Sequence, residues 1–132
     1  MAQLPGTAFA TSQDMPRSAL IVDPDRASCK LERLVLRDAG WVVAVADEPE
    51  VARRMLAMFV PDVVITDLAM PGTEHLAAEA RARGATVVVV TAFDDREAHA
   101  RARAAGCTTY IRKPIETARF AAQINEATGG KP

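Results

Sequence analysis

The sequence predicts an α/β domain built on a five-stranded parallel sheet with helices on both faces. Two observations carry this. Short apolar runs rich in β-branched residues alternate five times with amphipathic stretches of helical length. The runs are also too uniformly apolar to face water on either side, as strands buried on both faces are. Right-handed crossovers through the intervening helices then place the strands in one parallel sheet.

At 132 residues the chain suffices for one domain with its own core and is too short for two ordinary ones. Apolar residues make up 49% and charged residues 25%, the balance of a soluble globular protein. A net charge of −1 gives no bulk electrostatic reason to bind nucleic acid or a membrane surface. Cys29 and Cys107 lie far apart without metal-ligand spacing and read as small apolar residues in a reducing compartment. No run approaches a membrane span in length and no secretion signal opens the chain, so the expected location is cytoplasmic.

Residues 1–17 contain Pro5, Gly6, Thr7, Thr11, Ser12, Gln13 and Pro16 and few large apolar side chains. They read as a disordered leader, with the domain spanning residues 18–128. Ala19-Leu20-Ile21-Val22 is the first strand and delivers Asp23-Pro24-Asp25. A helix follows to about Ala39, with Leu31, Leu34 and Val35 on the expected inner face and Gly40 as its stop. Trp41 to Ala46 is the second strand. Asp47 suits an N-cap and Pro49 the first turn of a second helix to Phe59, with Val51, Met55, Met58 and Phe59 turned inward. Pro61 breaks that helix.

The third strand runs through Val63-Val64-Ile65-Thr66 to Asp67, and Met70-Pro71-Gly72 behind it can only be a turn. Roughly Glu74 to Arg83 is a helix of thin apolar content, mostly Leu76 and alanines, expected to be the weakest. Thr86 to Thr91 is the most β-branched strand. Asp94 or Asp95 caps an Ala- and Arg-rich helix that ends at Gly106. Thr108 to Ile111 is the fifth strand, followed by Arg112-Lys113-Pro114. The last helix turns Phe120, Ala121 and Ile124 inward, and residues 129–132 form a flexible tail.

In open parallel sheets, ligands bind outside the carboxyl ends of the strands. Those ends carry Asp23, Asp67, Thr91 and Lys113. Singly, each has an ordinary reading as a turn former, a strand end or a solvated charge. Jointly they suit phosphoryl chemistry. A carboxylate can attack phosphorus to give an acyl phosphate. A hard divalent cation such as Mg²⁺ would sit between carboxylates and phosphoryl oxygens, and a hydroxyl and an ammonium would take the remaining charge. No Gly-rich phosphate loop follows the first strand, which disfavours a dinucleotide fold.

From Ser18 to about Thr128 the chain resembles the receiver domain of two-component response regulators. The resemblance rests on Leu20-Ile21-Val22-Asp23, Ile65-Thr66-Asp67-Leu68-Ala69-Met70-Pro71-Gly72, Val90-Thr91-Ala92 and Tyr110-Ile111-Arg112-Lys113-Pro114, taken in their order and spacing. It implies a flavodoxin-like sheet of order 2-1-3-4-5. It implies that Asp67 is the phosphoacceptor, charged by a histidine kinase or phosphotransfer protein. Asp23 and Asp67, with the backbone carbonyl of Ala69, would hold Mg²⁺. Thr91 and Lys113 would bind the phosphoryl group, and Thr91 and Tyr110 would form the switch. It further implies a cis Lys113-Pro114 bond. The fourth helix (Arg96 to Ala105), the fifth strand with Tyr110, and the fifth helix form the expected face for a downstream protein partner.

Two positions depart from the family pattern. Pro24 stands where a second adjacent acid is usual, and Asp25, the remaining candidate ligand, reads better as the N-cap of the first helix. After Gly72 a usual Asp-Gly is replaced by Glu74-His75, His75 reads as a surface residue, and the third helix looks shortened. Two further readings follow. One is a pseudo-receiver that has lost efficient phosphorylation. The other is a small phosphatase resembling the haloacid dehalogenases, with Asp23 as nucleophile and Asp25 as acid.

Overall fold

A computed structural model describes residues 16–129. The expected leader and tail therefore lie outside the described residues, apart from Pro16, Arg17 and Gly129. The strands are β1 (Ser18–Val22), β2 (Val42–Ala46), β3 (Val63–Thr66), β4 (Thr86–Thr91) and β5 (Thr109–Arg112). The helices are α1 (Arg26–Asp38), α2 (Pro49–Leu56), α3 (Thr73–Ala82), α4 (Arg96–Ala104) and α5 (Phe120–Ala127). Every strand pair is parallel and the order is β2-β1-β3-β4-β5, as expected. Ile21 is in register with Ile65, and Ile65 with Val88.

Successive side chains of a strand point to opposite faces, and each face is covered by its own helices. Ile21, Val63, Ile65, Val88 and Val90 join Leu36 of α1 and Phe120 and Ile124 of α5 in one core cluster. Leu20, Val22, Val64 and Val87 face Leu56 of α2 and Leu76, Ala77 and Ala80 of α3 in another. Val89 packs with Ala98 and Ala102 of α4. Both faces of β1, β3 and β4 are dry, which is why those strands read as unbroken apolar runs. The edge strand β2 leaves Val42 and Val45 exposed, against expectation, because no neighbouring strand continues the sheet there.

The helices correct several expectations. In α1 the buried residues are Glu32 and Leu36, while Leu31 and Leu34 are exposed. Leu36 docks into the cluster of Trp41, Phe120 and Ile124. That rotation carries Glu32, one turn earlier, inward in place of the leucines. Helix α2 ends at Leu56, where the chain turns toward Pro61; this leaves Met58 81% exposed and Phe59 at the surface. Its N-cap is Glu48, without a side-chain bond, and not Asp47. Helix α3 spans ten residues, each end within one residue of the expected Glu74 to Arg83. It starts directly after the turn because Gly72 adopts φ +90° and the buried Thr73 hydroxyl donates to the Met70 carbonyl at 2.7 Å. Asp95, and not Asp94, caps α4, accepting from the Ala98 amide at 2.8 Å.

Candidate functional site

Each acid or lysine of the predicted set stands one residue past its strand, its amide still bonded to the neighbouring strand. Asp23 N–H donates to the Ala46 carbonyl (3.1 Å), Asp67 N–H to Val22 (3.2 Å) and Lys113 N–H to Thr91 (2.8 Å). The sheet therefore brings Asp23, Asp67, Thr91 and Lys113 to one edge, around the point where the strand order reverses.

The four side chains are wired together. Lys113 Nζ lies 2.8 Å from Asp23 Oδ2 and 2.7 Å from Asp67 Oδ2. Asp67 Oδ1 accepts from the Thr91 hydroxyl at 2.8 Å and from the Ala69 amide at 2.9 Å. Asp23 Oδ1 accepts from the Asp25 amide at 2.8 Å. Both carboxylates are buried, at 3% and 5% exposure, so these charge-assisted bonds replace lost water. Burial pushes the Asp23 carboxyl up, against the opposing pull of Lys113 and the Asp25 amide. Burial also works to lower the Lys113 ammonium, but its bonds to Asp23 and Asp67 outweigh that and hold it above its ordinary value. The Lys113-Pro114 bond is cis, as expected.

The side chain of Asp25 stands outside this network. Its carboxylate accepts from the Ala27 amide (3.1 Å) and the Ser28 hydroxyl (2.9 Å), capping α1. Pro24 brings no oxygen on its side chain. Among the described residues no three His, Cys, Asp or Glu side chains converge as a metal site. The Asp23–Asp67 pair already converges on one cation, the Lys113 ammonium, and is a hard oxygen donor set. Mg²⁺ commonly takes one or two carboxylates with waters and phosphate oxygens, so the pair fits that ion.

Tyr110 stacks on His99 with ring centroids 3.9 Å apart, and its hydroxyl donates to the Phe93 carbonyl. His99 in turn meets Asp94 at 2.8 Å, and Arg112 reaches the same carboxylate at 3.2 Å. Sequence reasoning missed Glu32. It is 1% exposed, neither carboxyl oxygen has a partner, and burial, with Asp23 nearby, pushes it up to about 8. No periodicity marks it, because Leu31, Leu34 and Val35 form the more apolar stripe.

A sheet of this order, with an acid pair, a hydroxyl and a lysine on its carboxyl edge, defines a class: the receiver domains of two-component signalling. The chain belongs to the response regulator receiver domain family, whose profile matches residues 19–125. Transcriptional regulatory protein PdtaR of Mycobacterium tuberculosis is 35% identical over 106 residues, which cover 76% of this chain and 51% of that protein. Response regulator PleD of Caulobacter vibrioides is 27% identical over 120 residues, 86% of this chain and 26% of its own length. The chain thus spans about half the length of PdtaR and about a quarter of PleD. A response regulator receiver protein from Burkholderia phymatum superposes with a TM-score of 0.72 at 28% identity, covering 86% of this chain and 95% of that one. A CheY-like receiver domain protein from Methanospirillum hungatei shares the fold at a TM-score of 0.80 and 22% identity, with 88% and 96% covered. Among the described residues no helix is long and apolar enough to cross a membrane.

Proposed function

We propose that this receiver domain is phosphorylated on Asp67 by a histidine kinase or phosphotransfer protein and switches a protein partner. The observation that carries the reading is the single ammonium of Lys113 shared by two buried carboxylates, beside a hydroxyl on the same acid. An Asp67 oxygen attacks the phosphorus of a phosphohistidine. The P–O bond forms as the P–N bond breaks, the imidazole keeps the electron pair, and an acyl phosphate remains on Asp67. Thr91 and Lys113, which donate to the two Asp67 oxygens, are placed to follow negative charge onto the phosphoryl oxygens. Asp23, Asp67 and the Ala69 carbonyl would hold Mg²⁺, which would supply charge neutralisation to the transfer.

Release of the Thr91 hydroxyl from Asp67 is the event that would reach Tyr110 and the surface of α4, β5 and α5, where the partner docks. Ala69 and Phe93 offer no side-chain group to orient a water, so the phosphoryl group should be long-lived. The reading carries with it a cytoplasmic location and a signalling role in place of an enzymatic one. The phosphatase alternative needs Asp25 as its acid, and that carboxylate caps α1. The pseudo-receiver alternative rests on Pro24.

Intact-mass analysis after incubation with acetyl phosphate and Mg²⁺ tests all three. One added phosphoryl group, abolished by Asp67→Asn, is expected. Label that survives Asp67→Asn and disappears in Asp23→Asn supports the phosphatase, and an unlabelled wild type supports the pseudo-receiver.

A further inference from the structure

One strand away from the acid pair, a cleft of about 500 Å³ opens between the first half of α1 and the carboxyl end of the edge strand β2. One side is apolar, formed by Val45 and Ala46 of β2 and Val51 of α2. The other is a row of cations. Arg26, Lys30 and Arg33 recur at i, i+4 and i+7 of α1, so they share one face of the helix, and all three line the cleft.

None of these cations forms an ion pair with another described residue. Both arginines of α2, by contrast, are paired with Glu50. Nor do the acids at the cleft cancel the row. Asp23 shares the one ammonium of Lys113 with Asp67, so that cluster keeps a single negative charge. Asp47 adds another, and the three cations still exceed them. The cleft therefore carries a positive surplus beside an apolar wall, in a chain whose net charge is −1. A concave, largely apolar site of this size with a few convergent polar groups is the usual form of a small-molecule pocket. Arginine forks and a lysine ammonium are the donors that suit a phosphate.

We propose that this cleft binds a small organic phosphate, a dianion on an apolar, ring-sized body. The body lies against Cys29, Val45 and Val51, and the phosphate meets Arg26, Lys30 and Arg33. Binding there does not require phosphorylation of Asp67, so an unlabelled Asp67 would leave this proposal standing.

Phenyl phosphate is the probe, titrated into the ¹⁵N-labelled full chain. The amides of Cys29, Val45, Asp47 and Val51 should shift to saturation, and phenyl phosphate should bind at least about tenfold more tightly than inorganic phosphate or phenol. Lys30→Glu with Arg33→Glu, both at exposed positions, should weaken it by at least about tenfold with the melting curve retained. Val45→Asp should weaken it through the other wall. Binding should persist in Asp67→Asn. The proposal is overturned if no shift saturates, or if inorganic phosphate binds as well as the ester. It is equally overturned if the shifts centre on Ala69 and Thr91 and neither cleft variant changes them.

Discussion

Asp23 and Asp67 are buried together at the edge of the sheet, and Glu32 is buried beneath α1, but their surroundings are opposite. All four oxygens of the aspartates accept a hydrogen bond, from Lys113, Thr91 or a loop amide. Neither oxygen of Glu32 accepts any, although Glu32 is the most deeply buried of the three. The strand ends and the turns behind them supply free donors. The inner stripe of α1 meets an apolar sheet face whose own amides are used in the ladder, so a carboxyl there finds none. Burial then pushes the Glu32 carboxyl up, and with a value of about 8 it keeps its proton at neutral pH.

The largest effect expected from this contrast is on stability against pH. The folded-state value of Glu32 lies above the ordinary 4.5, so unfolding releases a proton between these limits. The contribution is fully present below about pH 4.5 and is lost as pH rises toward 8. Glu32→Leu lacks that slope. In urea denaturation its advantage over the wild type should widen by about 4 kcal/mol across the window. Parallel curves for the two proteins would abolish the contrast. Lys113→Ala attacks the other side of it, leaving two buried carboxylates without their cation. A loss of about 3 kcal/mol is expected at pH 7, with Mg²⁺ recovering part of it between the same two acids. A loss under about 0.5 kcal/mol, the level of an ordinary surface change, would show that the pair is not held by the lysine. The smallest effects belong to the loop after β1. Pro24→Asp should tighten Mg²⁺ roughly tenfold by calorimetric titration. Asp25→Ala should lower the melting temperature and leave Mg²⁺ affinity unchanged. The reverse pattern would make Asp25 a ligand.

The same contrast explains what could be read in advance. Strands such as Val63–Thr66 and Thr86–Thr91 declare themselves because both faces are dry and nothing polar interrupts them. Asp67, Thr91 and Lys113 were legible as a set because a parallel sheet sends all its carboxyl ends to one edge. The stripe of α1 was not. Leu31, Leu34 and Val35 make the better apolar pattern, of which only Val35 packs against the core, and no periodicity argument chooses an inward face through a glutamate. What decides it is the docking of Leu36 beside Phe120 and Ile124, residues some eighty positions further on. Met58 and Phe59 failed for a related reason: the turn needed to reach β3 stops α2 before its apolar pattern ends. The cap of α4 could be narrowed only to two neighbouring aspartates, because either carboxylate suits the position.

The amides of Asp23, Asp67 and Lys113 are stitched to the adjacent strands before their loops begin. The position of each residue is thus inherited from the sheet, and only the first loop amides, those of Asp25 and Ala69, add to the aim of the two carboxylates. Past those two amides, the turn through Gly72 and the stretch from Glu116 to Arg119 can change in composition while the acids and their cation hold position. Site and surroundings are separable in such a scaffold: the outer loops can be rewritten without moving the acids and their cation.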